Sequence, residues 1–250
     1  MVLADDDFGT LRAAVEEGRR VFDNLVKALS FVLPTSLGQA LIIAVAVLAF
    51  PTGGGGAPLL PVEPVQILWI NLIVATALAL PLALETPEPD LMRRRPRDST
   101  QPLLDVPLIV RTLLVGVTLT AVALVVFWVE RRHELAGGAS AELALSRGQT
   151  AAVTAAVVLQ ALYLLACRSL TRPNRELGRW SNPAVQAGIA IVLALQALYV
   201  LAPFMHTVFG STRIDARAVV LATGAALVIL PVTWLEERWR VRRQRPRARS

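Results

Sequence analysis

The sequence has little cysteine, and its long apolar stretches lack acidic residues. A single cysteine, Cys167, excludes an internal disulfide and a metal site built from cysteines. None of the 19 Asp and Glu residues falls inside six long apolar stretches. The first residues also lack the basic start, apolar stretch and small-residue cleavage site of a signal peptide. We therefore expect insertion into a membrane to depend on the internal stretches.

Apolar residues dominate what remains. Hydrophobic residues make up 54% of the 250 and charged residues only 18%, which is too apolar for a soluble domain of this size. A bilayer core of about 30 Å needs about 20 apolar residues of helix to cross it. The sequence therefore predicts an all-α, polytopic membrane protein with six transmembrane helices, at about 29–50, 65–84, 108–128, 149–167, 184–203 and 218–235.

Two charged zones flank this predicted membrane domain, 29–235. Residues 1–28 carry apolar side chains at roughly helical spacing among charged ones, which predicts a short cytoplasmic amphipathic stalk helix that continues into the first span. Residues 236–250 are predicted to form an Arg-rich cytoplasmic tail. Between the first two spans, the glycine run at 53–56 is typical of a flexible turn that closes a hairpin.

Lys and Arg are distributed unevenly between the predicted loops. Nineteen of the 25 lie in the two terminal zones and the even-numbered loops, and five lie in the other loops. Because basic residues concentrate on the cytoplasmic side, we expect both termini there and the protein in the plasma (inner) membrane. Arg111, just inside the third span, is expected to snorkel back to that face. The arginines are not interleaved with aromatics, so we expect the lipid bilayer and no nucleic acid as a partner.

Neutral polar side chains within the spans mark a candidate site. Ser36 and Gln39 lie one helical turn apart in the first span, Asn71 lies in the second and Gln160 in the fourth. Pro34 removes the helical hydrogen bond to the carbonyl of residue 30, which should leave that oxygen free nearby. Such oxygens suit a hard cation. They also serve as hydrogen-bond partners between membrane helices, and spacing alone favours that role.

Several strings of this sequence resemble one family, the P-type cation-transporting ATPases. They follow in the family's order, from the segment that leaves the phosphorylation domain, through the fifth, sixth and eighth membrane helices. These strings are residues 2–24, Leu33-Pro-Thr-Ser-Leu-Gly-Gln39, Pro64-Val-Gln-Ile-Leu-Trp-Ile-Asn-Leu72, Glu88-Pro-Asp-Leu-Met-Arg-Arg-Arg-Pro-Arg97 and Cys167-Arg-Ser-Leu170. The chain thus resembles helices five to ten of a pump of the calcium-pump-like type II group.

The resemblance implies that this membrane domain forms part of an ion pathway for an inorganic cation. The family's cation-ligand positions on helices five, six and eight fall on four residues of this chain: Ser36, Gln39, Asn71 and Gln160. The sixth-helix Thr and Asp positions fall on Val74 and Ala75, so Ala75 replaces the family Asp. Loss of carboxylates disfavours tight calcium binding, because divalent cations are held by charged oxygens.

The family's Asp-Lys-Thr-Gly phosphorylation motif and its Gly-Asp-Gly-x-Asn-Asp motif do not occur in this sequence. The resemblance therefore implies a chain with no ATPase activity alone and no cofactor of its own. ATP and Mg2+ are expected only for a complete pump, whose ATPase domains would act as partners in cis or in trans. Two alternatives remain open: a stand-alone channel or permease, and a non-transporting membrane scaffold or regulator.

Overall fold

A computed structural model describes residues 8–51, 58–83, 91–93, 105–168 and 183–244. These residues are mostly helical, which confirms the predicted all-α class. The helices are α1 (Phe8–Ala49), α2 (Pro64–Ile73), α3 (Leu80–Ala83), α4 (Val106–Ala136), α5 (Ala141–Ala166), α6 (Pro183–Leu201), α7 (Pro203–Phe209), α8 (Ala216–Ala226) and α9 (Ile229–Gln244). A π-helical segment, Val74–Ala79, joins α2 to α3, and a 3-10 turn covers Leu91–Arg93.

Within the described part of the chain, five helical segments are long and apolar enough to cross a membrane. They are Phe8–Ala49, Val106–Ala136, Ala141–Ala166, Pro183–Leu201 and Ala216–Arg240. The predicted second span, 65–84, is a helix interrupted by the π-helical segment. The polytopic membrane architecture is thus confirmed, and its second span is irregular.

Stalk and first span form one helix. Helix α1 has 42 residues, which corresponds to about 63 Å at the rise of an α-helix. Its first turns expose large apolar side chains such as Phe8 and Val21, whereas Phe31, Ile42 and Ala46 are buried in the bundle. The Arg19 guanidinium donates a hydrogen bond to the Leu91 carbonyl at 3.0 Å. This contact ties the stalk to the turn that follows α3.

Short polar side chains start three of the membrane helices. Asp105 accepts a hydrogen bond from the Leu108 amide before α4, Ser140 from Leu143 before α5, and Asp215 from Ala218 before α8. Such caps satisfy amides that have no partner within the helix. Between α4 and α5 only residues 137–140 are non-helical, and Gly138 there adopts a φ of 86°. The hairpin between these two helices is therefore tight.

Helix α4 runs eight residues beyond the predicted end of the third span, and α9 extends to Gln244 within the predicted tail. The charged stretch at the end of α4 reads as a loop in the sequence because charges are costly in a span. In the structure the charges are paired: Glu130 with Arg217 at 2.9 Å, and Glu134 with Arg147 at 2.6 Å. Their pairing lets the helix continue.

Small residues let the central helices approach closely. A Cβ atom at Gly38 of α1 would lie 2.5 Å from Leu119 Cδ2 of α4, and one at Gly116 of α4 would lie 3.3 Å from the Pro34 carbonyl oxygen. Interfaces between membrane helices are enriched in such residues because lipid provides no hydrophobic driving force for association. The contact between α1 and α4 places the part of α1 around Pro34 inside the bundle.

Candidate functional site

Pro34 within α1 is the first feature of the candidate site. Pro34 has no amide hydrogen, so the Ser30 carbonyl lacks its usual helical donor. The expectation that this oxygen is free is wrong, because the Tyr163 hydroxyl of α5 donates to it at 2.5 Å. The Cys167 thiol points at the same oxygen from 3.8 Å. The freed carbonyl therefore belongs to a hydrogen bond between α1 and α5.

Arg111 supports this contact from α4. Its Nε donates to the Tyr163 hydroxyl at 2.8 Å and one Nη to the Ala166 carbonyl at 3.0 Å. Its other Nη lies 4.0 Å from a Glu236 carboxylate oxygen of α9. The expectation that Arg111 snorkels to the membrane face is wrong: the residue is 4% exposed and turned into the bundle. An arginine side chain stays inside when polar groups there satisfy its donors.

About two turns beyond Ser30, a second hydroxyl lies against the α1 backbone. The Thr120 hydroxyl of α4 lies 3.1 Å from the Gly38 carbonyl and 2.9 Å from the Gly116 carbonyl of its own helix, and it shares its one hydrogen between them. The Thr35 hydroxyl lies 3.0 Å from both the Phe31 and Val32 carbonyls of its own helix. Hydroxyl groups thus bind the α1 backbone on both sides of Ser36. We call the stretch Pro34–Gln39 the α1 turn.

The π-helical segment is the second feature. It begins at Val74, three residues after Asn71, and it includes position 75, where the resemblance places the replaced acidic ligand. Short π-helical stretches are rare in proteins, and those that occur often lie at functional sites. Gly188 of α6 packs directly against the Ala77 carbonyl within this segment. The interrupted backbone is thus covered by protein, as non-helical backbone at membrane depth must be unless it lines a water-filled cavity.

The four predicted site residues fall into two groups. Gln39 and Gln160 are buried, with 5% and 0% of their surface exposed, whereas Ser36 and Asn71 lie on the exposed surface of the described bundle. Within the described residues no hydrogen bond joins any two of the four. The Gln160 amide nitrogen donates to the Ala156 carbonyl at 3.2 Å, and its Oε1 has no partner there. The buried Gln39 Nε2 also has none.

Sequence reasoning missed two polar contacts in the membrane. Gln196 of α6 donates to the Thr154 hydroxyl of α5 at 3.0 Å. The buried contact of Arg111 with Tyr163 was also missed. The sequence did contain a signal for the Arg111 contact, because a buried arginine inside an apolar stretch needs partners. Only the fold shows which partner it has.

A cluster of possible metal ligands lies at the end of α4. One ligand atom each of Glu130, His133 and Glu134 lies within 4.8 Å of the others. Both carboxylates are already paired, with Arg217 and Arg147. The cluster is accounted for by these ion pairs, and we assign it no metal.

The long apolar helices define an integral membrane protein. Comparison with known proteins then gives the family. Residues 59–239 match the family described as "Cation transporting ATPase, C-terminus". The chain is 43% identical to the "Probable cation-transporting ATPase F" of Mycobacterium tuberculosis over 98% of its own length and 26% of the relative's.

Two more distant relatives show the same pattern. The "Cation-transporting ATPase pma1" of Synechocystis is 32% identical over 95% of this chain and 25% of its own length. The mouse "Calcium-transporting ATPase type 2C member 2" is 30% identical over 96% of this chain and 24% of its own length. The chain belongs to the family of the C-terminal region of cation-transporting P-type ATPases, which confirms the resemblance seen in the sequence. It spans about a quarter of the length of these relatives.

Proposed function

We propose that the chain forms part of the cation pathway of a P-type ATPase, at a site between the α1 turn and α5. The observation that carries the proposal is that Gln39 and Gln160, two positions where the resemblance places cation ligands, each keep a buried polar atom without a partner among the described residues. Buried polar groups without partners cost free energy and are rare. A cation bound to the Gln160 Oε1 would remove the cost at that atom, whereas the Gln39 Nε2 is a donor and needs an acceptor instead.

Two features of the surroundings support the proposal. Hydroxyl groups of α4 and α5 contact the α1 backbone on both sides of Ser36, at Gly38 within the α1 turn and at Ser30 four residues before it. The exposed Ser36 and Asn71 lie on surfaces that further ATPase segments, supplied in cis or in trans, would cover. All four side chains are neutral, and Ala75 replaces the family Asp. Such a site favours a monovalent cation or a weakly held divalent one.

A chimaeric pump tests the proposal. The segment of the Mycobacterium tuberculosis relative that matches this chain would be replaced by this chain, and phosphoenzyme formation from labelled ATP would be followed in sodium, potassium, calcium and magnesium salts. We expect a phosphoenzyme whose level depends on one of the first three cations, with magnesium needed for phosphoryl transfer itself. The chain alone, as the control, should form none. A correctly inserted chimaera whose phosphorylation responds to none of those three would contradict the proposal.

The orientation in the membrane is part of the same proposal. Both termini lie in the cytoplasm and the turn between α4 and α5 lies outside, because the basic residues concentrate on the terminal side. A cysteine introduced at residue 137 should react with an impermeant maleimide in intact cells, and a cysteine at residue 95 should react only after lysis. The native Cys167 is buried and serves as the unlabelled background. Labelling of residue 95 in intact cells would reverse the orientation.

A further inference from the structure

The contact between Tyr163 and the α1 backbone has a feature that ordinary helix packing lacks. Its acceptor, the Ser30 carbonyl, is the one oxygen that Pro34 deprives of its helical donor. Tyr163 is fully buried, and its hydroxyl both donates to Ser30 and accepts from Arg111. The hydroxyl hydrogen is therefore directed to the carbonyl, because the guanidinium can only donate.

Arg111 in turn is held by three other groups. It donates to the Ala166 carbonyl and to the Cys167 sulfur at the end of α5, and it faces Glu236 of α9. The Glu236 carboxylate also lies 3.7 Å from Arg240. The chain of contacts thus runs from the α1 backbone through α5 and α4 to α9. A tyrosine hydroxyl held in this way has little freedom to leave the carbonyl.

We propose that Tyr163 is a positioning residue for the cation site: its hydroxyl, oriented by Arg111, holds the Ser30 carbonyl and so fixes the α1 turn relative to α5. Ser36 and Gln39 follow Ser30 by six and nine residues on the same helix. A shift of α1 at Ser30 therefore moves both of them relative to Gln160, which lies on the same helix as Tyr163. This inference rests on the proposed function for the cation site, whereas the hydrogen bond itself does not.

A double-mutant cycle in thermal unfolding tests the hydrogen bond. Tyr163→Phe removes only the hydroxyl and leaves the Ser30 carbonyl with the Cys167 thiol, a weak donor at 3.8 Å. We expect the melting temperature of the full chain in lipid nanodiscs to fall by about 3 °C or more. In a Pro34→Ala background the backbone amide of the introduced alanine supplies the missing helical donor, so the same substitution should lower the melting temperature by about 1 °C or less.

Tyr199 offers a matched control. Its ring is fully buried like that of Tyr163, but its hydroxyl has no hydrogen-bond partner among the described residues. Tyr199→Phe should therefore leave the melting temperature unchanged or raise it slightly in both backgrounds. Equal losses for Tyr163→Phe with and without Pro34, or equal losses for the two tyrosines, would overturn the role of the hydroxyl. If Tyr163→Phe alone does not fold, recovery of folding on addition of Pro34→Ala supports the role of the hydroxyl.

Cation binding then separates positioning from stability. The chain would be titrated with sodium, potassium and calcium chloride, and the midpoint of the stabilising effect compared between variants. We expect the midpoint to rise about threefold or more in Tyr163→Phe and to stay unchanged in Tyr199→Phe. An unchanged midpoint in Tyr163→Phe, with a parent that does respond, would overturn the positioning role. If no cation stabilises the unsubstituted chain, the cation site and the positioning role are both contradicted. The hydrogen bond would still be established if the effect of Tyr163→Phe on the melting temperature depends on Pro34.

Discussion

Replacing Gly188 by alanine is expected to lower the melting temperature of this protein by several degrees and to reduce the amount of folded chain recovered from membranes. Gly188 of α6 lies against the Ala77 carbonyl, and an added Cβ would overlap that backbone oxygen and lie 3.2 Å from Pro81 Cγ. Helix α6 must then move away from the π-helical segment. Overpacking of this kind costs about 1–3 kcal/mol, and in chains of 150–250 residues each kcal/mol corresponds to about 2–4 °C.

A matched control is available within the same protein. Gly224 of α8 is also a helical glycine, and a Cβ there would meet no atom within 4 Å. Gly224→Ala should leave the melting temperature unchanged or raise it slightly, because alanine is the better helix former. Thermal unfolding of both variants in the same nanodiscs measures the difference. Equal behaviour would contradict the close packing of α6 on the π-helical segment.

Hydrophobic patterning was sufficient to predict most of the fold. The predicted spans match helical segments of the described chain, since few other structures satisfy 20 apolar residues in a bilayer. The errors lie where local sequence and tertiary contacts disagree. The charged end of α4 stays helical because Glu130 and Glu134 find arginines on α8 and α5, which lie 87 and 13 residues away along the chain. The π-helical segment has no comparable signal in its sequence, Val-Ala-Thr-Ala-Leu-Ala.

The candidate site was predicted only in outline. Pro34 correctly indicated a carbonyl without its helical donor, but not the tyrosine on another helix that occupies it. Burial of Gln39 and Gln160, and exposure of Ser36 and Asn71, depend on how the helices rotate and pack. Helical spacing shows which residues share a face, and does not show which face is covered. The four residues as cation ligands remain a prediction.

Gln39→Glu is expected to produce the largest change in cation binding. The substitution keeps the size of the side chain and places a carboxylate where the resemblance expects one. If Gln39 and its neighbours face a cation, the added charge should tighten binding about tenfold or more, which corresponds to about 1.4 kcal/mol. If Gln39 only packs, the change buries an unpaired ionisable group at a cost of about 2.5–3.5 kcal/mol. The melting temperature would then fall, and no new binding would appear.

Gln196→Glu provides the control for this experiment. Gln196 is a buried glutamine of another membrane helix. Its amide nitrogen donates to the Thr154 hydroxyl, and its Oε1, like that of Gln160, has no partner among the described residues, but the resemblance places no cation ligand there. A carboxylate there carries the same charge and a similar burial penalty. It should lower the melting temperature without a gain in cation affinity. The comparison therefore separates a specific cation site from general attraction by a buried negative charge.

The most direct test of the cation pathway is a thermal-shift titration of the parent chain, Gln39→Glu and Gln196→Glu. Each would be titrated with sodium, potassium, calcium and magnesium. The samples would be held in nanodiscs, with the ATPase domains of a relative supplied in trans. The proposed function predicts that at least one cation stabilises the parent and that the same cation stabilises Gln39→Glu at about one tenth of the concentration or less. Gln196→Glu should show no such gain. Folded, reconstituted samples in which no cation stabilises either the parent or Gln39→Glu would contradict the cation site and leave Gln39 and Gln160 as packing residues.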